Sequence, residues 1–126
     1  MLCLRCLTEL PSTNFFAHPA NPVEEVFYGR IPVINAAAGY FFTKDSLLQH
    51  LLVQLKYRRN KEIGFYLGKL LGRALLNSDR FSTVEALVPL PLNPKREKKR
   101  GYNQATALCK GMAEVWGRPV IEKAVV

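Results

Sequence analysis

The sequence predicts an α/β fold: a parallel sheet with flanking helices, preceded by a loop-rich segment. Residues 84–88 read as a buried strand, a basic stretch follows, and a helical pattern opens at Asn103-Gln104. Residues 120–126 again read as a strand, and a strand behind one strand–helix unit wants a parallel neighbour and layers over both faces. The sheet is therefore expected to be incomplete within these residues, and the chain is expected to be the first part of a longer protein. With 126 residues, 48% hydrophobic and 22% charged, one globular core is within reach of the length and composition.

Residues 1–30 form the loop-rich segment, carrying Cys3-Leu-Arg-Cys6 and then Pro11, Asn14, His18, Pro19, Asn21 and Pro22. A structural zinc site needs four ligands, and Cys3 and Cys6 supply half of one. His18 is the nearest third ligand, but its spacing matches no standard finger, and a surface histidine is the plainer reading. A redox pair is the other alternative, and it needs a helix N-terminus that the surrounding residues do not announce. Residues 31–126 form the second unit. Within it, residues 31–42 have β-branched and aromatic ends, and their second half reads as a strand.

Thr43 or Asp45 can cap the next helix, whose Leu47, Leu48, Leu51, Leu52 and Leu55 share one face. That helix ends in Lys56-Tyr57-Arg58-Arg59, where positive charge suits the macrodipole; helix-capping charge is the alternative to a ligand site. Asn60 starts a further helix with Glu62 in its first turn and Ile63, Leu67, Leu70, Leu71, Ala74 and Leu75 as its buried stripe. Gly64, Gly68 and Gly72 run beside the stripe. Each costs roughly 1 kcal/mol against alanine in a helix, so another backbone is expected to approach there, with the sheet as its source. Lys69 and Arg73 exclude a membrane helix pair on that face.

Asn77-Ser78-Asp79 breaks the helix, and Pro89, Pro91 and Pro94 stop the strand that follows. Ala105, Leu108, Cys109, Met112, Ala113 and Trp116 then keep helical spacing, and Gly117 closes the helix ahead of Pro119. Cys109 and Met112 fall on its apolar face and read as core.

The formal net charge is +8, and two segments carry most of it: residues 56–62 hold four basic residues against one acidic, and residues 95–100 five against one. Such a field favours phosphates, nucleic acid or an acidic membrane surface. No run reaches the roughly 18 apolar residues of a membrane span, and no charged start with an apolar stretch marks a secretory signal. Three cysteines make no disulfide framework, so a cytoplasmic location is expected. The order of strand, basic loop and helix start suits an anion. Lys95, Arg96 and Arg100 supply charge, while Gly101, Asn103 and Gln104 supply backbone or amide donors. A solvated basic loop is the alternative.

Cys3-x-x-Cys6, Gly39-Tyr40, Leu55-Lys56-Tyr57 with its basic turn, Val88-Pro-Leu-Pro-Leu92, Pro94-Lys95-Arg96 and Arg100-Gly-Tyr-Asn-Gln-Ala105 together resemble the ComF family, the phosphoribosyltransferase-like family linked to bacterial competence. The resemblance implies that residues 84–126 are the first half of a phosphoribosyltransferase-type domain, and that residues 89–104 face the pyrophosphate of phosphoribosyl pyrophosphate held with Mg²⁺. Members typically carry two cysteine pairs in a zinc-ribbon-like element, of which one pair stands here. The family's pair of acids and Thr-Thr-Gly-type loop is absent, so no catalytic residue is expected in this stretch and the chain alone is expected to be inactive.

Two functions follow. One is a transferase that binds a phosphorylated small molecule and moves ribose-phosphate onto an unidentified nucleophile. The other is single-stranded DNA binding during uptake alongside competence proteins, with Lys56, Arg58 and Arg59 tracking phosphate and Tyr57 or Tyr102 offering a stacking face. A third expectation is an inactive fragment that self-associates through an open sheet edge.

Overall fold

The computed structural model describes residues 9–41, 46–57 and 60–122. Among them five α-helices form: α1 Pro22–Phe27, α2 Leu47–Tyr57, α3 Lys61–Leu76, α4 Pro94–Arg100 and α5 Gln104–Trp116, with 3-10 turns at Phe15–Ala17 and Asp79–Phe81.

The expected parallel sheet is not there. Among the described residues β pairing is confined to two isolated bridges, Leu87 to Val120 in parallel and Ser12 to Tyr40 in antiparallel. The first has the direction expected of residues 84–88 and 120–126, with Leu87 N–H donating to Pro119 O at 2.8 Å and Ile121 N–H donating to Leu87 O at 2.9 Å. Among the described residues it extends no further. Pro89 and Pro91 follow within four residues and have no N–H to continue a ladder. Val84 and Leu87 pack in one core cluster and Pro89 is buried, while Glu85 and Val88 are exposed, so the segment turns one face inward without building a ladder. Residues 31–41 are not a strand either: residues 31–34 are exposed, Ile34 at 92%, and Tyr40 alone bridges. The alanines that weakened a strand here serve instead as loop backbone, Ala36 O accepting from Asn21 Nδ2 at 2.8 Å and Ala38 O from Thr13 Oγ1 at 2.5 Å. The helical architecture replaces the α/β expectation, and the open sheet edge from which self-association was inferred falls with it. Residues 42 and 123–126 lie outside the described residues.

Helix α2 buries Leu48, Leu51 and Leu55 as its spacing predicted, and Ser46 Oγ accepts from Gln49 N–H at 3.2 Å in the manner of an N-cap. Thr43 and Asp45, the expected caps, lie outside the described residues. Leu48 and Leu51 pack with Leu10 and Leu67, and Ile63, Leu70 and Leu108 close the cluster. A second cluster gathers Leu75, Leu87 and Trp116 with Phe16, Phe81, Cys109 and Met112. Cys109 thus packs, half-buried, against the core, and burial pushes its thiol pKa up. Ala74, expected in the α3 stripe, is exposed.

Helices α3 and α5 are the closest-packed pair of elements. The glycines of α3 do admit a backbone, but it belongs to a helix and not to a sheet. A Cβ on Gly68 would stand 2.1 Å from Leu108 O and 3.0 Å from Gly111 Cα, and one on Gly72 would stand 2.8 Å from Met112 O. Gly111 reciprocates, because its own Cβ would meet Phe65 O at 2.1 Å. Two helices cross backbone to backbone at this point, which only glycine on both sides permits.

The expected loop-rich segment holds a short helix and a polar hub. Asn21 caps α1, accepting from Val23 N–H at 3.0 Å and Glu24 N–H at 3.1 Å, and Pro22 occupies the first helical position. Glu24 is buried, accepts from Ala20 N–H at 2.8 Å and Ala36 N–H at 3.1 Å, and forms an ion pair with Arg80. Arg80 also donates to Asn35 Oδ1 at 2.9 Å, Phe15 O at 3.1 Å and His18 O at 2.5 Å. One guanidinium thereby ties residues 15–18, α1, residue 35 and the turn after α3 together.

Candidate functional site

The basic stretch is a helix, not a loop. Asn93 Oδ1 accepts from Lys95 N–H at 2.9 Å, Pro94 stands at the first helical position, and Gly101 ends the helix at φ +87° with its N–H on Glu97 O at 2.7 Å. Asn-Pro at the start and Gly at the end were the signals that a reading dominated by charge passed over. Lys95, Arg96, Lys98 and Lys99 are all exposed on α4. Lys95 and Arg96 sit in its first turn, where the macrodipole disfavours positive charge, so helix stability does not explain their presence. Arg100 is the last residue of α4.

Gly101 turns the chain into Tyr102, which is only 7% exposed. Its hydroxyl donates to Leu55 O, one of the carbonyls that the end of α2 leaves without an intrahelical partner. The Tyr102 ring lies beneath Lys61 Nζ, 5.5 Å from the centroid. Burial removes Tyr102 as an open stacking face. Its role is to bind the α4–α5 junction to the end of α2. Asn103 then caps α5, its Oδ1 accepting from Ala105 N–H at 2.9 Å while its Nδ2 donates to Leu90 O at 3.1 Å. Gln104 is buried, with Nε2 on Tyr102 O at 3.5 Å. The amides of Asn103 and Gln104 are thus engaged within the fold.

The outcome is one cationic end of the molecule. The C-terminal turn of α2 with exposed Lys56 and the first turn of α3 with exposed Lys61 meet at Tyr102, two residues beyond the end of α4. The two charge clusters, far apart in sequence, are joined by that hydroxyl. Tyr57 ends α2, and Arg58 and Arg59 lie outside the described residues. Lys110 on α5 adds a cation to the same end and reaches Glu122 Oε1 at 3.5 Å with both side chains largely exposed. Sequence reasoning did not single out Lys110, although the Thr106–Lys110 spacing places both on one face of α5.

A groove of about 330 Å³ beside α4 is lined by Pro91, Leu92, Glu97, Asn103, Thr106 and Glu122. Its two carboxylates oppose a phosphate in that groove. Among the described residues no group of three His, Cys, Asp or Glu side chains is placed to hold a metal ion. Cys3 and Cys6, the expected zinc ligands, lie outside the described residues; His18 is exposed beside Asn14 Nδ2 at 3.4 Å. No helix among the described residues is long and apolar enough to cross a membrane.

The fold and this end define a helical chain that presents concentrated positive charge on and beside its helices. The chain is 32% identical over 120 residues to the DNA utilization protein YhgH of Salmonella typhimurium. That match takes in 92% of this chain and 49% of the relative, so the chain spans about half the length of the curated relative it matches. No family model matches the chain, and no solved structure matches it.

Proposed function

We propose that this chain binds single-stranded DNA through its cationic end, as part of a protein of the ComF family that serves DNA uptake or use. The observation that carries the reading is the meeting of the ends of α2 and α3 at Tyr102, which brings exposed Lys56 and Lys61 beside the end of the helix that carries exposed Lys95, Arg96, Lys98 and Lys99. A flexible strand follows such a surface by its phosphates without needing a shaped groove. Similarity to a protein named for DNA utilisation supports the same reading. Lys56, Tyr57, Arg58 and Arg59 are assigned to DNA contact from the sequence pattern, and competence proteins are the expected partners.

Phosphoribosyl pyrophosphate with Mg²⁺ has no comparable support here. The amides of Asn103 and Gln104 are occupied, and the groove beside them carries Glu97 and Glu122.

Anisotropy of a labelled oligo(dT) titrated over a NaCl series tests the proposal. Neutralising about five phosphates gives a slope of log K against log[salt] near −3.5 for a single strand. A flat response, or saturable Mg²⁺-dependent heat with phosphoribosyl pyrophosphate from a protein that ignores the oligonucleotide, contradicts it.

A further inference from the structure

A cavity of about 150 Å³ opens between the first turns of α3 and α5, lined by Lys61, Phe65, Tyr102, Asn103, Thr106, Ala107 and Lys110. Its position follows from the glycine crossing. Gly64 brings the backbone of α3 against Ala107, where a Cβ would stand 2.9 Å from the alanine methyl, and the flanking pairs of side chains form two walls. Lys61 and Phe65, four residues apart, make the α3 wall; Thr106 and Lys110, also four apart, make the α5 wall. Each wall contributes one lysine. Phe65 is half-buried with Lys69 Nζ 4.7 Å from its ring centroid, and Tyr102 contributes only the edge left by its burial. Lys110 pairs with Glu122 across exposed side chains, a contact that is weak and readily exchanged for another anion.

Two lysines, an aromatic ring and a hydroxyl lining one cavity match a phosphate joined to a planar ring. We infer that this cavity is a nucleotide subsite: one deoxynucleotide of a bound single strand places its base against Phe65 and its phosphate between Lys61 and Lys110, with Thr106 Oγ1 as a further donor. The inference rests on the DNA-binding reading and adds a base contact that the charge of α4 cannot supply, since backbone contacts alone are indifferent to the ring.

The test measures oligo(dT) affinity for the wild-type chain, Phe65→Leu and Lys110→Ala, together with the fluorescence of Phe65→Trp. Phe65→Leu keeps an apolar side chain in the wall and removes the π face, and it weakens binding at least about fivefold, the low end of a base–aromatic stack. Lys110→Ala flattens the salt slope by about 0.7. Phe65→Trp retains affinity and its indole is quenched by oligo(dT). Unchanged affinity in Phe65→Leu and an unquenched indole overturn the subsite while leaving DNA binding by α4 intact. If the wild-type chain binds no oligonucleotide, the DNA reading fails first, and amide NMR with thymidine 5′-monophosphate decides the subsite separately. Shifts at Thr106 and Lys110 that inorganic phosphate does not reproduce support it; no shifts, or the same shifts with phosphate, overturn it.

Discussion

Arg80 donates to Glu24, Asn35 and the carbonyls of Phe15 and His18, so one side chain satisfies acceptors from three separate stretches. Its partner Glu24 is buried, and burial pushes that carboxyl pKa up. The Arg80 hydrogen bond, the N–H groups of Ala36 and Ala20, and the guanidinium charge act the other way and hold it below its ordinary value. A carboxyl whose folded pKa is depressed stabilises the fold fully above its unfolded pKa and loses that contribution as pH falls through the folded value. The urea midpoint of the wild-type chain is therefore expected to fall from neutral pH into the acid range below the ordinary carboxylate pKa. Glu24→Gln is expected to start lower at neutral pH and to fall less steeply. Parallel curves for the two proteins would show that the Arg80 pair does not govern Glu24. Nothing in the sequence marks Arg80, because it lies 56 residues from Glu24 and neither neighbourhood has a pattern that names the other.

The crossing of α3 and α5 determines where the cationic end lies, and it depends on Gly68 and Gly111. In an exposed helix, Gly→Ala gains about 1 kcal/mol. Here a Cβ on Gly68 falls 2.1 Å from Leu108 O and one on Gly111 falls 2.1 Å from Phe65 O, backbone atoms that cannot yield without separating the helices. Gly68→Ala and Gly111→Ala are each expected to lose about 1–3 kcal/mol by urea denaturation, the range for overpacking a filled interior. A gain in stability would mean that the helices do not touch there. The close approach was legible in the spacing of Gly64, Gly68 and Gly72, but its partner was not, because glycine spacing specifies distance and not what arrives. Helices α2, α3 and α5 were legible from apolar periodicity over 11 or more residues each. Helices α1 and α4 span 6 and 7 residues, too few for a period to repeat. Both open on Asn-Pro, with the asparagine as cap and the proline at the first helical position, a signal obscured by a Pro-rich context in one case and by charge in the other.

At the scale of the whole molecule, the sheet was the part that the sequence misreported. Apolar runs at residues 84–88 and 120–126 suit strands, but a ladder also requires donors along its length and partners on either side. Pro89, Pro91 and the exposure of Val88 leave one bridge between Leu87 and Val120. The basic residues were legible as charge, whereas their union at one end was not, since it depends on the Tyr102 hydroxyl reaching Leu55 O across 47 residues. The proposed DNA binding is attributed to that union, and the salt dependence of oligo(dT) affinity measures it most directly. Replacing Lys95, Arg96, Lys98 and Lys99 together with alanine, a residue that favours helix, is expected to preserve α4 and to remove its charge. The variant should show a salt slope flatter than the wild type by about 0.7 for each phosphate that α4 no longer neutralises, about 2 to 3 in all. Identical slopes for a folded variant and the wild type would contradict the claim that α4 and the helix ends beside it hold the strand.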